Sequence, residues 1–308
     1  MTNTGSAAPG AAQRFYFSGA NCVLSAVDYG NSHLQDMVIL HGMRDHGQSM
    51  SSLSNAFRDK YHVVVPDLRG HGDSDNPGSY TLTQFVADLR ALVLHLGLDA
   101  PVLVGHSLGG HISSTYAALY PRDTSGLVLI DGMGPPRSEG PQSLEMRRET
   151  WRNHVEMALQ LTSERRAMKD AAEALTRLTS NNPRLATETA KMIVAHGIEP
   201  HPDGGVRWKW DPAVGMVWST FDHGASEQQW PLIECPVLVI TGDESMQYWS
   251  RRNLGEPDED DLLDRETDRR VKLFRDARHV TIEGAGHMVH YDQPDALNHC
   301  IAQFLDRG

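Results

Sequence analysis

A serine-centred turn, Gly105-His106-Ser107-Leu108-Gly109, stands between the apolar run Pro101-Val-Leu-Val104 and the helical stretch Ile112 to Leu119. This is the most restrictive feature of the chain. A strand that turns sharply into a helix lifts the central side chain clear of the sheet, and only glycine at the flanking positions keeps strand and helix from colliding. Gly105 and Gly109 supply that room. A serine hydroxyl is a poor nucleophile unless it is presented in this way beside a base, so the turn marks Ser107 as a candidate nucleophile.

The rest of the chain repeats the strand and helix alternation. Asp36 to His41, Tyr61 to Pro66, Leu127 to Ile130, Pro236 to Ile240 and His279 to Ile282 are short apolar runs of the kind buried on both faces of a parallel sheet. Phe15 to Phe17 and Cys22 to Val27 fit a leading hairpin. Phe85, Val86, Leu89, Leu92, Val93 and Leu96 recur at helical spacing, and Gly97 ends that helix. Asp295 to Leu305 fits a closing helix. These patterns predict an α/β fold, a mostly parallel central sheet with helices on both faces.

The rhythm breaks after Gly134-Pro135-Pro136 and resumes near Pro236. Residues 135–231 therefore read as a helical lid inserted into a core formed by residues 1–134 and 232–308. The acidic run Glu256 to Asp268 lacks the spacing of a calcium loop and is expected to be solvated surface.

Composition excludes several classes of function. A formal net charge of -12 opposes binding to nucleic-acid phosphates. Cys22, Cys235 and Cys300 lie far apart without a CxxC pair, which suits a reducing cytoplasm and indicates neither a disulfide framework nor zinc. Met1 to Gln13 has no basic start and no apolar core, so it does not read as a signal peptide, and no apolar stretch is long enough to span a membrane. No dinucleotide, P-loop or HExxH pattern is present, and no cofactor or metal is expected. The anticipated partners are a small-molecule acyl substrate and water.

Two further pieces belong with Ser107. Negative charge that develops on a carbonyl oxygen needs preorganised backbone donors. Leu108 directly follows the serine, and His41-Gly42-Met43 ends an earlier strand, so the Leu108 and Met43 amides are the expected oxyanion hole. Gly284-Ala-Gly-His287 follows the last strand, where a short loop can bring an imidazole onto the serine. His287 is the expected base, with His290 its near rival and more readily placed at the start of the closing helix.

Together with Asp67-Leu-Arg-Gly-His-Gly-Asp73, the block from His41 to Gly110 resembles the α/β-hydrolase superfamily, and the Pro236 to Gly242 strand and late Gly-His extend the likeness. The resemblance implies the α/β-hydrolase fold and a Ser, acid, His triad. Related dehalogenases and epoxide hydrolases carry aspartate where this chain has Ser107, which points to the serine branch. In most members the acid stands three residues after the glycine that ends the strand equivalent to Val237 to Thr241. Here that slot is Ser245, which carries no charge, and Asp243 stands only one residue after Gly242. Other members carry the acid after the preceding strand, and Leu127-Val-Leu-Ile-Asp131-Gly resembles their pattern. Asp131 is preferred over Asp243, which stays open as the alternative.

The inserted segment contains Trp151, Trp208, Trp210, Trp218 and Trp230 together with five methionines. Such side chains can wall a pocket for an apolar or aromatic group, or simply pack the segment itself. The expected activity is hydrolysis of a carboxylic ester, thioester or lactone. A carbon–carbon bond hydrolase of the same fold and a ligand sensor that retains the triad are the alternatives.

Overall fold

Alternation within the apolar runs decides which side chain meets which helical layer. The structure, a computed structural model, describes residues 12–134, 143–161, 166–245, 248 and 260–306. Among the described residues the strands are β1 (Gln13–Ser18), β2 (Val23–Asp28), β3 (Asp36–Leu40), β4 (His62–Pro66), β5 (Val102–His106), β6 (Gly126–Ile130), β7 (Ile198–Pro200), β8 (Val206–Trp208), β9 (Val237–Gly242) and β10 (Ala277–Ile282). All but β7 and β8 join one sheet in the order β1-β2-β4-β3-β5-β6-β9-β10. β2 pairs antiparallel with β1 and β4, and every other pairing in this sheet is parallel.

Among the described residues the α-helices include α1 (Ser51–Phe57), α2 (Leu82–Leu96), α3 (Leu108–Leu119), α4 (Leu144–Gln160), α5 (Ala171–Asn181), α6 (Thr187–Gly197), α7 (His223–Gln229), α8 (Asp260–Val271), α9 (Val289–Asp292) and α10 (Pro294–Leu305). Val38, Leu40, Leu103, Leu127 and Leu129 pack with Phe85, Leu92, Ile112 and Tyr116 of α2 and α3. Their neighbours Met37, Ile39, Val104, Val128 and Ile130 join Leu53, Phe57, Leu297 and Ile301 of α1 and α10 in a second core. Burying each such side chain contributes roughly 1.5–3 kcal/mol, so a one-residue slip of a central strand would exchange the two cores.

Three features differ from the sequence expectations. Helix α3 starts at Leu108 rather than Ile112, because the turn at Ser107 leads into it without a spacer. The segment between β6 and β9 is not purely helical. The β7–β8 hairpin interrupts it, with Gly204 and Gly205 of its turn at φ 103° and 78°. A side chain at Gly205 would lie 2.2 Å from the Met168 carbonyl oxygen, to which this corner is bridged. The acidic run is not solvated throughout. Its C-terminal part belongs to α8, where Glu266 is buried against Arg270; residues 251–259 lie outside the described residues.

Helix α2 carries the expected stop and an unforeseen start. Gly97 takes the left-handed conformation at its C-terminus. Thr81 Oγ1 accepts the Gln84 amide, and Gln84 Oε1 accepts the Thr81 amide in return, a reciprocal cap. Thr81→Ala is expected to lower unfolding free energy by about 1 kcal/mol in urea titrations without changing the m-value. A change under 0.3 kcal/mol, on the order of ordinary surface substitutions, would show that α2 does not depend on this cap.

Candidate active site

β5 delivers the chain to Ser107, whose φ of 51° and ψ of -116° lie outside the regions that L-residues readily adopt. The turn is held in place by the Ser107 amide, which donates to the Ile130 carbonyl at 3.0 Å. Tight backbone packing explains the flanking glycines. A Cβ on Gly105 would lie 2.4 Å from the Gly109 carbonyl, and one on Gly109 would lie 2.4 Å from the Leu40 carbonyl oxygen.

β6 is followed by Asp131, another non-glycine residue with positive φ, 42°, whose amide donates to the Ile240 carbonyl at 2.7 Å. The loop after β10 brings in His287. It crosses Gly242 so closely that a side chain there would lie 2.1 Å from the Ala285 carbonyl oxygen. Ser107, His287 and Asp131 thereby form one hydrogen-bonded chain. His287 Nδ1 lies 2.5 Å from Asp131 Oδ2, and His287 Nε2 lies 3.0 Å from Ser107 Oγ. Because a carboxylate only accepts, Nδ1 carries the proton and Nε2 is left to accept from the serine hydroxyl.

The competing residues have other partners. Asp243 Oδ1 accepts the Ala285 amide at 3.1 Å and so braces the histidine loop. Ser245 is fully buried, with its Oγ accepting the Gly242 amide at 3.1 Å. His290 sits in the short helix α9, its Nε2 3.7 Å from Asp45, and not at the start of the closing helix.

Two further groups lie beside this hydrogen-bonded chain, and no sequence pattern marks the first of them, Tyr248. The Tyr248 ring is stacked on the His287 imidazole, with centroids 3.9 Å apart and planes 11° from parallel. His106 Nε2 donates to the His287 carbonyl at 2.9 Å. Burial, reinforced by His290 and His287, pushes the His106 pKa well below the ordinary value, so this support stays neutral.

The Asp67 to Asp73 motif acts on the other side of the serine. His41 Nδ1 donates to the Gly42 carbonyl at 2.7 Å while its Nε2 accepts the Leu68 amide at 3.0 Å. His71 Nδ1 donates to the Arg69 carbonyl at 2.9 Å, and its Nε2 accepts the Arg44 amide at 3.0 Å. Arg69 is itself fixed by a buried bidentate pairing with Asp88 at 2.6 and 2.7 Å. These contacts press residues 41–44 against the turn at Ser107, where a Cβ on Gly42 would lie 2.7 Å from the His106 ring. Leu108 is the first residue of α3, so its amide has no intrahelical acceptor. The Met43 amide takes no acceptor among the described residues.

The tryptophans of the segment between β6 and β9 have unequal surroundings. Trp230 is buried and stacks on Phe274 as part of the core, and Trp151 is exposed. Trp218 and Phe221 pack against His111 on α3, and Trp210 lies under the Arg44 guanidinium at 5.1 Å. The Asp211 amide donates to the Gly70 carbonyl at 2.8 Å, and Tyr80 donates to its carboxylate at 2.6 Å. That docks the segment on the turn that supports residues 41–44.

Fold and site geometry together define a class, and the chain belongs to the alpha/beta hydrolase family, whose model matches residues 37–299. It is a hydrolase by that membership. It is similar to a 2-(acetamidomethylene)succinate hydrolase of Mesorhizobium japonicum, with 27% identity over 274 residues covering 88% of this chain and 87% of that protein. A serine hydrolase-like protein of Danio rerio is 24% identical over 90% of this chain and 83% of its own length. Among solved structures, the thioesterase domain from the curacin biosynthetic pathway superposes with a TM-score of 0.78 at 22% identity, covering 95% of this chain and 99% of that one. At that identity the likeness speaks for the fold. Among the described residues no helix is long and apolar enough to cross a membrane.

Burial sets the pH response of the histidines around the site. It depresses His41, takes His71 down to about 3 with help from His41, and takes His111 down to about 4 with help from Arg270. With His106 these four stay neutral in the folded protein at a pH where the unfolded chain protonates them. Their contribution is complete above the unfolded value of 6.5 and is lost as pH falls toward the folded values. Each costs up to about 1.4 kcal/mol per pH unit. His62, raised by its hydrogen bonds to Asp28 and Asp36, acts in the opposite direction, but only above 6.5, because below that value it is protonated in both states. Tm should therefore fall between pH 7 and 5. His111→Phe should flatten that fall, because neither ring nitrogen of His111 has a partner among the described residues. An unchanged slope in the variant would contradict a neutral His111.

Proposed function

We propose that this protein is a serine hydrolase that cleaves a carboxylic ester, or the chemically similar thioester or lactone, through an acyl-enzyme. The reading rests above all on the continuous hydrogen-bonded chain Asp131–His287–Ser107, drawn from the ends of β6, β10 and β5 of one sheet. The serine hydrolase-like relative, matched over most of both chains, supports it.

In the first half-reaction Ser107 Oγ attacks the carbonyl carbon while its proton passes to His287 Nε2. The electron pair moved onto the carbonyl oxygen is held by the Met43 and Leu108 amides. Asp131 stabilises the imidazolium and fixes its tautomer, and the stacked Tyr248 ring favours the same charge. Collapse expels the alkoxide, which takes the proton from His287 and departs as the alcohol, leaving acyl-Ser107. Water then gives a proton to His287 and attacks the acyl carbon; the second collapse returns the proton to Oγ and releases the acid. These steps call on no metal or organic cofactor.

The segment of residues 135–231 serves as the cover of this site. Trp210, Trp218 and Phe221, placed beside Arg44 and His111, favour a substrate with an apolar or aromatic group. The walls come from few of the segment's tryptophans, since Trp230 belongs to the core.

A fluorophosphonate should label Ser107 covalently, and p-nitrophenyl esters of short to medium acyl length should be turned over. Ser107→Ala should abolish labelling and lower turnover by at least about 10³-fold. Absence of labelling at Ser107 together with absence of turnover across acyl lengths would overturn the assignment.

A further inference from the structure

The loop that carries Asp131 is bound by an arginine from a distant part of the chain. Arg270, on α8, is 3% exposed. Its Nη1 donates to the carbonyls of Met133 and Gly134 at 3.4 and 3.2 Å, its Nε to Glu266 at 2.9 Å, and its Nη2 to His223 Nδ1 at 3.1 Å. Glu227 of α7 lies 3.7 Å away and, with Glu266, also holds Arg269. From α3, His111 also feels the guanidinium. One arginine thus joins α7, α8 and the two residues at the end of the Asp131 loop.

Stability alone is a weak reason for this arrangement, because desolvating a guanidinium and two carboxylates consumes most of what their attraction returns. Placement is a better one. Asp131 is held at positive φ, a conformation that persists only where the surroundings impose it. Its amide is pinned to Ile240 on one side. Gly132 packs backbone to backbone on α3, where a side chain at Gly110 would lie 2.7 Å from the Gly132 Cα. The following two carbonyls end on Arg270. Among the described residues after β9, Asp243 and Ser245 are engaged with Ala285 and Gly242 instead.

We propose that Arg270 is a positioning residue, a clamp on residues 133–134 that sets the Asp131 carboxylate against His287. The inference rests on the reading of Asp131 as the triad acid. His223 stands edge-on to Phe221 at 4.8 Å, and Phe221 packs on Gly134 and His111, so the clamp also ties the carboxylate to the aromatic side of the cover.

A double-mutant cycle tests it, read as the rate constant for phosphonylation of Ser107 by an alkyl fluorophosphonate. Arg270→Met should slow labelling about 100-fold, the scale of an ångström-level misplacement. In an Asp131→Asn background the same change should cost under about threefold, because the carboxylate it acts through is gone. If Arg270→Met does not fold, Arg270→Lys runs the same cycle; it keeps the buried charge but cannot serve both carbonyls and both carboxylates. Equal losses in the two backgrounds, or no loss in the parent, would overturn the clamp. If Asp131→Asn alone leaves labelling unchanged, the reading of the triad fails and the clamp with it.

Discussion

The site depends on how closely three stretches of backbone approach one another around Ser107. Gly105 and Gly109 touch across the turn, Gly109 meets the end of β3, and Gly110 meets Gly132 after β6, each at distances no side chain could enter. The turn therefore fixes more than the serine. It brings residues 41–43 alongside Ser107 and sets the level at which β6 releases Asp131, while Ser107 itself bears an unfavourable backbone conformation that the packing imposes.

Charge is managed around that turn mainly by excluding it. His41, His71 and His106 are buried neutral hydrogen-bonding rings, each with one nitrogen donating to a backbone carbonyl. His41 and His71 also accept an amide through the other nitrogen, a pairing that protonation would destroy. The Asp67 to Asp73 motif thus works as a clamp on residues 41–44. Asp67 accepts the Gly47 and Asp73 amides, and Arg69 closes on Asp88. In the fully buried surroundings of these rings, His287 differs by facing both a carboxylate and a hydroxyl.

Much of this was legible in the sequence because it follows from local period and from glycine. The two-residue alternation of Met37 to Leu40 and of Leu127 to Ile130 sorts side chains between two cores, and the glycines at 105 and 109 announce a close approach. The nearness of Ser107 and His287, 180 residues apart, is legible from the loop after the last strand and strengthened by resemblance. Asp131 is marked by the uncharged slot at Ser245 and by the likeness of Leu127 to Gly132, whereas its 2.5 Å approach to His287 Nδ1 depends on tertiary packing. Nothing periodic marks Tyr248 or Arg270, since each reaches the site by tertiary contact from a separate part of the chain. The β7–β8 hairpin was hidden because three-residue strands are too short for alternation to register.

The central claim is that Asp131, not a residue after β9, holds the His287 imidazole for attack by Ser107. Rates of p-nitrophenyl ester hydrolysis by Asp131→Asn and Asp243→Asn, measured side by side, test it most directly. The account predicts a fall on the order of 10⁴-fold for Asp131→Asn. It predicts less than about tenfold for Asp243→Asn, whose amide oxygen can still accept the Ala285 N–H. A large loss in Asp243→Asn with a nearly silent Asp131→Asn would contradict it.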